Sequence, residues 1–410
     1  MNRLAINGGT PIRTKPFPAW PVFDDHEKAA LNQVLESGVW GTLGTEAINF
    51  SNRFAKYQQS KYGIAVVNGT VALEVIMSGL GIGYGDEVIL PSFTFYATAS
   101  AIIAVGATPV FCDIQADSYS IDPEKLHEII TPATKAVIAV HVGGRPCDMD
   151  RIIEVADQYK IHVIEDSAQA HGSEWENKRT GSMGIAGGFS FQGSKNLCCG
   201  EGGFIATNNK SLYEKCWSIH NSGRSLDANA EFAYYSIATN ARMSEWEAAI
   251  LNSQMDRLDT QIAKREENAA YLNKRLSEIP CIAPLFQDNR ITRNSYHLYI
   301  FKFLGEQCNG LTRTQFINAM CAEGIPCSQG YGSLNKIPVF QSEEFRRLTG
   351  SKIDYQGLVL QNADKASNLE AVWLYHAVLL GDKNDMNDIV DAVIKVYENS
   401  KQLISSGVGF

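Results

Sequence analysis

From about residue 60 onward, short apolar runs alternate with segments of helical periodicity. Runs over 64–67, 87–90, 109–113, 136–141 and 162–166 predict strands, and 70–80, 96–105, 123–130 and 149–159 predict helices between them. Uninterrupted apolar runs fit strands buried on both faces, and helices spaced between them make right-handed crossovers in a parallel sheet. After Ser182 the texture changes, and 188–192 and 203–207 read as two short strands around a glycine-rich loop. From 244 to 277 runs a charge-studded amphipathic stretch, one long helix or two joined ones, suited to bridge two units. A strand over 296–303 and helices over 312–323 and 385–398 follow. The pattern predicts an α/β protein with a large unit over 1–255, its central sheet mostly parallel and flanked by helices. A smaller α+β unit follows over 256–410.

Length and composition agree with that division. A chain of 410 residues exceeds one ordinary domain, and 45% hydrophobic content supplies a large core. The net charge of −9, with no Lys/Arg run longer than two, excludes a nucleic-acid footprint. Nine cysteines, an odd number with no C-x-x-C pair, argue against a zinc ribbon, a redox motif or a disulfide framework. No apolar window is long enough to span a membrane, and residues 1–20 carry charges and three prolines instead of a signal-peptide core. A reducing cytoplasm is the expected setting, with no nucleic acid or membrane as partner.

Some motifs imitate binding sites without their context. Gly79, Gly81, Gly83 and Gly85 suggest a dinucleotide fingerprint, but they follow a helix and precede a strand, the reverse of what that turn requires. Asp382, Asn384, Asp385 and Asp388 resemble a calcium loop, yet Met386 interrupts the ligand spacing and no glycine follows, which fits a helix cap instead. The eight histidines show no metal spacing, so no metal is expected.

Four features carry chemistry when taken together. Asn68-Gly69-Thr70 sits at a strand-to-helix turn, where backbone N–H groups and the helix dipole favour an anion; a tight turn capped by Thr70 explains the same residues. Asp166 ends the strand 162–166, and carboxyl ends of parallel strands are where α/β sheets bind ligands. A carboxylate there could keep a pyridine nitrogen protonated, though a structural acid fits as well. Lys195 follows the strand 188–192 and precedes Gly200-Glu201-Gly202-Gly203; a lysine nucleophile forms a Schiff base when its pKa is lowered. Phe95, in Pro91-Ser92-Phe93-Thr94-Phe95-Tyr96, is either core or a face on which a flat ring stacks.

In this order the residues resemble the DegT/DnrJ/EryC1/StrS family of fold-type-I aminotransferases that use pyridoxal 5′-phosphate. The likeness covers nearly the whole chain: Asn7-Gly8-Gly9-Thr10-Pro11, the 68–73 turn, the segments 165–172 and 189–203, Asn240-Ala241-Arg242-Met243-Ser244, and 372–381. It implies that Lys195 carries the cofactor as a Schiff base and shuttles protons, and that Asp166 pairs with the pyridinium. Gln169 would lie against the ring near its phenolic oxygen, and Gly69, Thr70 and Ser190 would hold the phosphate. Phe95 would stack on the ring. A loop from the partner subunit, corresponding to Asn240 and Arg242, would reach the phosphate, so the resemblance implies a homodimer with shared sites.

The implied reaction moves an amino group from L-glutamate or L-glutamine to a ketone on a cyclitol or keto-sugar. Relatives with His in place of the lysine dehydrate sugars; position 195 is Lys, which favours transamination. Many nucleotide-sugar members have His where this chain has Gln192, and a His-Tyr-x-Pro-x-His stretch where it reads Pro326-Cys327-Ser328-Gln329-Gly330-Tyr331-Gly332. Those departures, together with the opening segment and Ser295-Tyr296-His297-Leu298-Tyr299, look more like the branch acting on inososes and 2-deoxy-inososes, or forming 3-amino-5-hydroxybenzoate, than like the nucleotide-sugar branch. A cofactor-binding regulator without catalysis is the alternative of a different class; the intact Lys195 and Asp166 argue against it.

Overall fold

Strands without polar alternation must be covered on both faces, and the computed structural model, which describes residues 3–226, 234 and 236–405, shows how. The main sheet contains β1 (Tyr62–Val66), β2 (Glu87–Pro91), β3 (Thr108–Cys112), β4 (Thr134–Val140), β5 (His162–Asp166), β6 (Ala186–Ser190) and β7 (Gly203–Thr207). Their order is β1-β7-β6-β5-β4-β2-β3. All neighbours from β6 through β3 run parallel, and β7 alone is antiparallel to both strands beside it. The sheet is therefore mostly parallel, as its pattern predicts.

Alternate residues of each strand enter different cores. Val88 and Leu90 of β2 and Ala136 and Ile138 of β4 join Leu73 and Ile76 on one face. Ile89, Val137 and Ala139 join Ile152 and Ala156 on the other. Helices α3 (Gly69–Leu80), α4 (Ala97–Ala104) and α7 (Lys210–His220) lie along the first face. Helices α5 (Pro123–Ile129) and α6 (Met149–Tyr159) lie along the second. Where that second face meets β6 and β7 it is covered by α2 (Glu46–Tyr57) and α8 (Glu245–Leu276), around an aromatic nest of Phe50, Phe54, Phe189, Phe191 and Phe204. Helix α1 (Asp25–Ser37) packs on α8 as well. The helical patterns of α1, α2 and α7 were not among the expected elements.

The 244–277 stretch is one helix of 32 residues, started by a capping box between Ser244 and Glu247. Leu251, Leu258 and Ile262 face the aromatic nest, whereas Ala269, Leu272 and Leu276 enter a separate core. That second core lies against an antiparallel sheet of β8 (Ile282–Pro284), β9 (Leu298–Phe303), β10 (Cys327–Gln329) and β11 (Ala371–Tyr375), ordered β8-β9-β11-β10. Asp382 caps the helix Lys383–Glu398, so the calcium-like spacing is a capping box. None of the nine cysteines is in a disulfide, and among the described residues no helix is long and apolar enough to cross a membrane.

The opening segment docks on the second core. Leu4 is fully buried there. Glu323, also fully buried, accepts hydrogen bonds from the Ala5 and Ile12 amides at 2.8 and 3.0 Å and pairs with Lys395 at 2.8 Å. Arg13 pairs with Asp385 at 2.8 Å and Asp388 at 2.7 Å. Removing one partner of a buried ion pair leaves the other charge uncompensated. Glu323→Ala should therefore destabilise the fold by about 3–5 kcal/mol, read as a lowered urea midpoint; an unchanged midpoint would show that the strap adds nothing to stability.

Candidate active site

Three chain turns meet at the carboxyl ends of β5 and β6. These strands pair in parallel with Asp166 opposite Gly188, which sets the strand-end acid beside the strand that leads into Lys195. A cavity of about 570 Å³ opens there, within the size range of small-molecule sites. It is lined by Gly69, Thr70, Phe95, Asp166, Gln169, Ser190 and Lys195 together, so all the candidate site residues except Asn240 and Arg242 share one cavity.

The turn before α3 is built to receive an anion. Asn68 caps the helix through its side chain, which accepts from the Val71 amide at 2.9 Å; the cap is therefore Asn68 and not Thr70. The amides of Gly69 and Thr70 make no hydrogen bond among the described residues, as expected for the first turn of a helix. A Cβ on Gly69 would come within 2.8 Å of the Ser190 Cβ, and one on Gly203 within 2.2 Å of the Asn68 carbonyl carbon. Only glycine at both places lets the turn, the end of β6 and the start of β7 approach so closely. The cradle is narrow, polar and open at the helix dipole's positive end.

Asp166 is almost fully buried. Its Oδ2 accepts from the Thr98 hydroxyl at 2.8 Å and its Oδ1 from the Ala168 amide at 3.2 Å. Burial pushes its pKa above the ordinary carboxylate range, while Thr98, the Ala168 amide and the charge of Lys195 pull the other way. Burial likewise lowers the pKa of Lys195, opposed by Asp166. The lysine amine makes no ion pair or hydrogen bond among the described residues. An acid without a cation in contact and an amine without an acceptor are what a protonated ring nitrogen and an aldehyde carbon would each satisfy. The chemistry of this donor set fits pyridoxal phosphate.

Gln169 accepts from the Gly143 amide at 2.7 Å and donates to the Tyr331 hydroxyl at 2.8 Å. Phe95 is 57% exposed, so it is not core; its ring lies 6.1 Å from that of Tyr331 at the cavity's rim. Tyr331 belongs to the stretch that departs from the nucleotide-sugar pattern, but nothing in its spacing marks it as cavity-lining. Thr98, in the first turn of α4, and His297, just before β9, also line the cavity, although neither stands out in the sequence as a site residue. Asn240 lies apart. It is exposed and lines a different cavity, with Trp40, Asn221 and Arg242.

A sheet with one reversed strand, a half-buried lysine and a buried strand-end acid in a single cavity, and a separate antiparallel unit define a fold-type-I pyridoxal phosphate-dependent aminotransferase. The chain belongs to the DegT/DnrJ/EryC1/StrS aminotransferase family, whose profile matches residues 21–393. It is 35% identical over 418 residues to L-glutamine:2-deoxy-scyllo-inosose aminotransferase of Streptomyces kanamyceticus, covering 97% of each chain. Identity to 3-amino-5-hydroxybenzoate synthase of Amycolatopsis mediterranei (strain S699) is 33%, over 92% of this chain and 98% of that one. Among solved structures, a 3-amino-5-hydroxybenzoic acid synthase superposes with a TM-score of 0.84 at 30% identity, over 95% of this chain and 100% of the other. An aminotransferase from Psychrobacter cryohalolentis gives 0.86 at 30% identity, over 94% and 100%.

Asp166 also makes the stability of the empty protein depend on pH. Its folded pKa lies above its unfolded value, so its contribution is fully present below the unfolded pKa and is lost as pH rises through the folded one. Asp166→Asn should therefore raise the melting temperature of the cofactor-free protein at pH 7, and the gain should shrink as the pH is lowered toward 4. A gain that did not change with pH would contradict this account of the buried acid.

Proposed function

We propose that this enzyme transfers an amino group from L-glutamine or L-glutamate to the ketone of a cyclitol of the scyllo-inosose kind. The observation that carries the chemistry is the convergence of Lys195, Asp166 and the 68–70 turn on one cavity. The acceptor class is supported by the full-length similarity to an L-glutamine:2-deoxy-scyllo-inosose aminotransferase. The polar lining of Tyr331, Gln192, Ser194 and His297 suits a compact polyhydroxy ring.

Lys195 Nζ holds the cofactor covalently. Bound there, pyridoxal phosphate supplies an electron sink that makes a carbon next to the substrate nitrogen acidic. Asp166 keeps a proton on the ring nitrogen, and Thr98 aims its carboxylate. Gly69, Thr70 and Ser190 bind the phosphate, Phe95 stacks on the ring, and Gln169 lies beside the ring oxygen, oriented by Gly143 and Tyr331. As a free amine, Lys195 would remove the proton from the donor's α-carbon. It later returns a proton to the acceptor carbon that receives the nitrogen. Its lowered pKa leaves it neutral more readily, as a base requires.

We further propose that the active unit is a homodimer with shared sites, working in the cytoplasm. Asn240 is exposed and lines a cavity other than the one that holds Lys195, which supports a phosphate contact made in the partner's site. The division into units over 1–255 and 256–410 belongs to the same proposal; α8 joins their cores and the opening strap docks on the smaller one.

Borohydride reduction of the holoenzyme followed by peptide mapping should label Lys195, and labelling elsewhere would remove the mechanism. Lys195→Ala should lower turnover by at least about 10²–10⁴-fold, the usual worth of positioned proton transfer. Turnover should be screened with glutamine and glutamate against scyllo-inosose, 2-deoxy-scyllo-inosose and keto-nucleotide-sugars; a preference for the last group overturns the acceptor assignment. Lys195→Ala and Asn240→Ala chains mixed after unfolding should regain activity, because a heterodimer keeps one intact shared site. No gain over Asn240→Ala alone would argue that each site is built within one chain.

A further inference from the structure

The segment 193–196, which carries Lys195, is held from outside the main sheet by residues with no part in the chemistry above. The Ser194 carbonyl accepts two hydrogen bonds, from the Tyr375 hydroxyl at 2.9 Å and from His376 Nε2 at 3.0 Å. The Gly193 carbonyl accepts a third from the Trp20 indole N–H at 3.0 Å. Trp20 comes from the opening strap, and Tyr375 and His376 from the end of β11 and the residue after it.

The imidazole's tautomer is determined at both of its nitrogens. A guanidinium only donates, so Arg265 Nη2, at 3.0 Å, donates to His376 Nδ1. A carbonyl only accepts, so Nε2 bears the proton that Ser194 receives. Burial and the Arg265 charge both hold the His376 pKa well below the ordinary histidine range, which keeps the ring neutral in this arrangement.

Arg265 itself is fully buried on α8. Among the described residues it has no carboxylate partner, and its Nε and Nη1 atoms make no hydrogen bond. The Trp20 ring lies 5.4 Å from its guanidinium carbon, and burial pushes its pKa down to about 9. A buried charge of this kind is costly, and apolar residues of similar volume usually serve stability as well or better. Among the described residues, the guanidinium's one hydrogen bond goes to the imidazole that grips the lysine segment.

We infer that Arg265 and His376 are positioning residues for Lys195. The guanidinium locks the imidazole, the imidazole locks the Ser194 carbonyl, and the backbone so held decides where the amine meets the cofactor's aldehyde. The inference rests on the proposed attachment of the cofactor to Lys195. Misplacement by about 1 Å is enough to slow a positioned reaction on the order of a hundredfold.

The test is the rate at which the visible absorbance of the Lys195–cofactor linkage appears when apoenzyme is mixed with pyridoxal phosphate. His376→Phe keeps a ring against Trp20 and removes both hydrogen bonds; it should slow that rate on the order of a hundredfold. His376→Gln keeps an N–H for the Ser194 carbonyl and should recover most of it. Arg265→Met/His376→Phe removes the buried charge with its partner. It should fold and melt no lower than the wild type, yet stay slow, and it decides the matter should His376→Phe alone not fold. A wild-type rate in the double variant, or rates that simply follow melting temperature across the set, would overturn the inference. Borohydride labelling distinguishes its failure from that of the proposed function: a label on another lysine in the wild type sinks both.

Discussion

Burial disfavours the charged form of a lysine and of an aspartate alike, and this structure subjects Lys195 and Asp166 to it in the same wall. Strands β5 and β6 are parallel neighbours, with Asp166 opposite Gly188, so the acid and the loop beyond Ser190 cannot be far apart. The carboxylate is aimed by Thr98 and the Ala168 amide, while the amine has no hydrogen-bond or ion-pair partner among the described residues. Each group is thus held ready for a counterpart from outside the protein. The sheet order makes this possible: placing β6 beside β5, with the reversed β7 next to it, brings the Gly203 end of β7 against the 68–70 turn. The anion cradle and the ring-binding wall are then two sides of one cleft.

The cleft is not the work of the main sheet alone. Its lysine segment is gripped by Trp20 from the opening strap and by Tyr375 and His376 at the end of the antiparallel sheet. The strap is in turn pinned by Glu323, Lys395, Arg13 and Asp385. Helix α8 connects these parts, with the aromatic nest at one end, the second core at the other and Arg265 between them. A disturbance in the second core therefore has a short, rigid route to the lysine. That route consists of hydrogen bonds whose direction is set by chemistry, since guanidinium donates and carbonyl accepts.

On the open side the arrangement differs. Phe95 is more than half exposed and Asn240 lines another cavity altogether. A shared homodimeric site, as proposed, gives both observations one explanation. A second chain would cover the aromatic rim and supply the missing amide to the phosphate cradle. The substrate would then enter between chains.

Much of the sheet was legible in residue pattern because it depends on local order. Uninterrupted apolar runs such as 64–67 and 136–140 admit little but doubly covered strands, and they lie within a residue or two of where they were expected. Lys195, Asp166 and the Gly69–Thr70 turn were legible because each needs a particular residue at a strand end. Helices α1, α2 and α7 escaped because their apolar faces only make sense against partners such as α8 or the sheet. Thr98, Tyr331, His297 and Arg265 escaped for a related reason: a threonine, tyrosine, histidine or arginine says nothing alone about what lies beside it. The sequence by itself determined the kinds of element and the residues able to do the chemistry, since covalent chemistry and side-chain periodicity are local. Only the tertiary structure decided which of them share a cavity, which tautomer His376 holds, and that Asn240 stands outside its own chain's site. Those follow from contacts between residues far apart in sequence, 111 positions for Arg265 and His376 and 182 for His376 and Ser194.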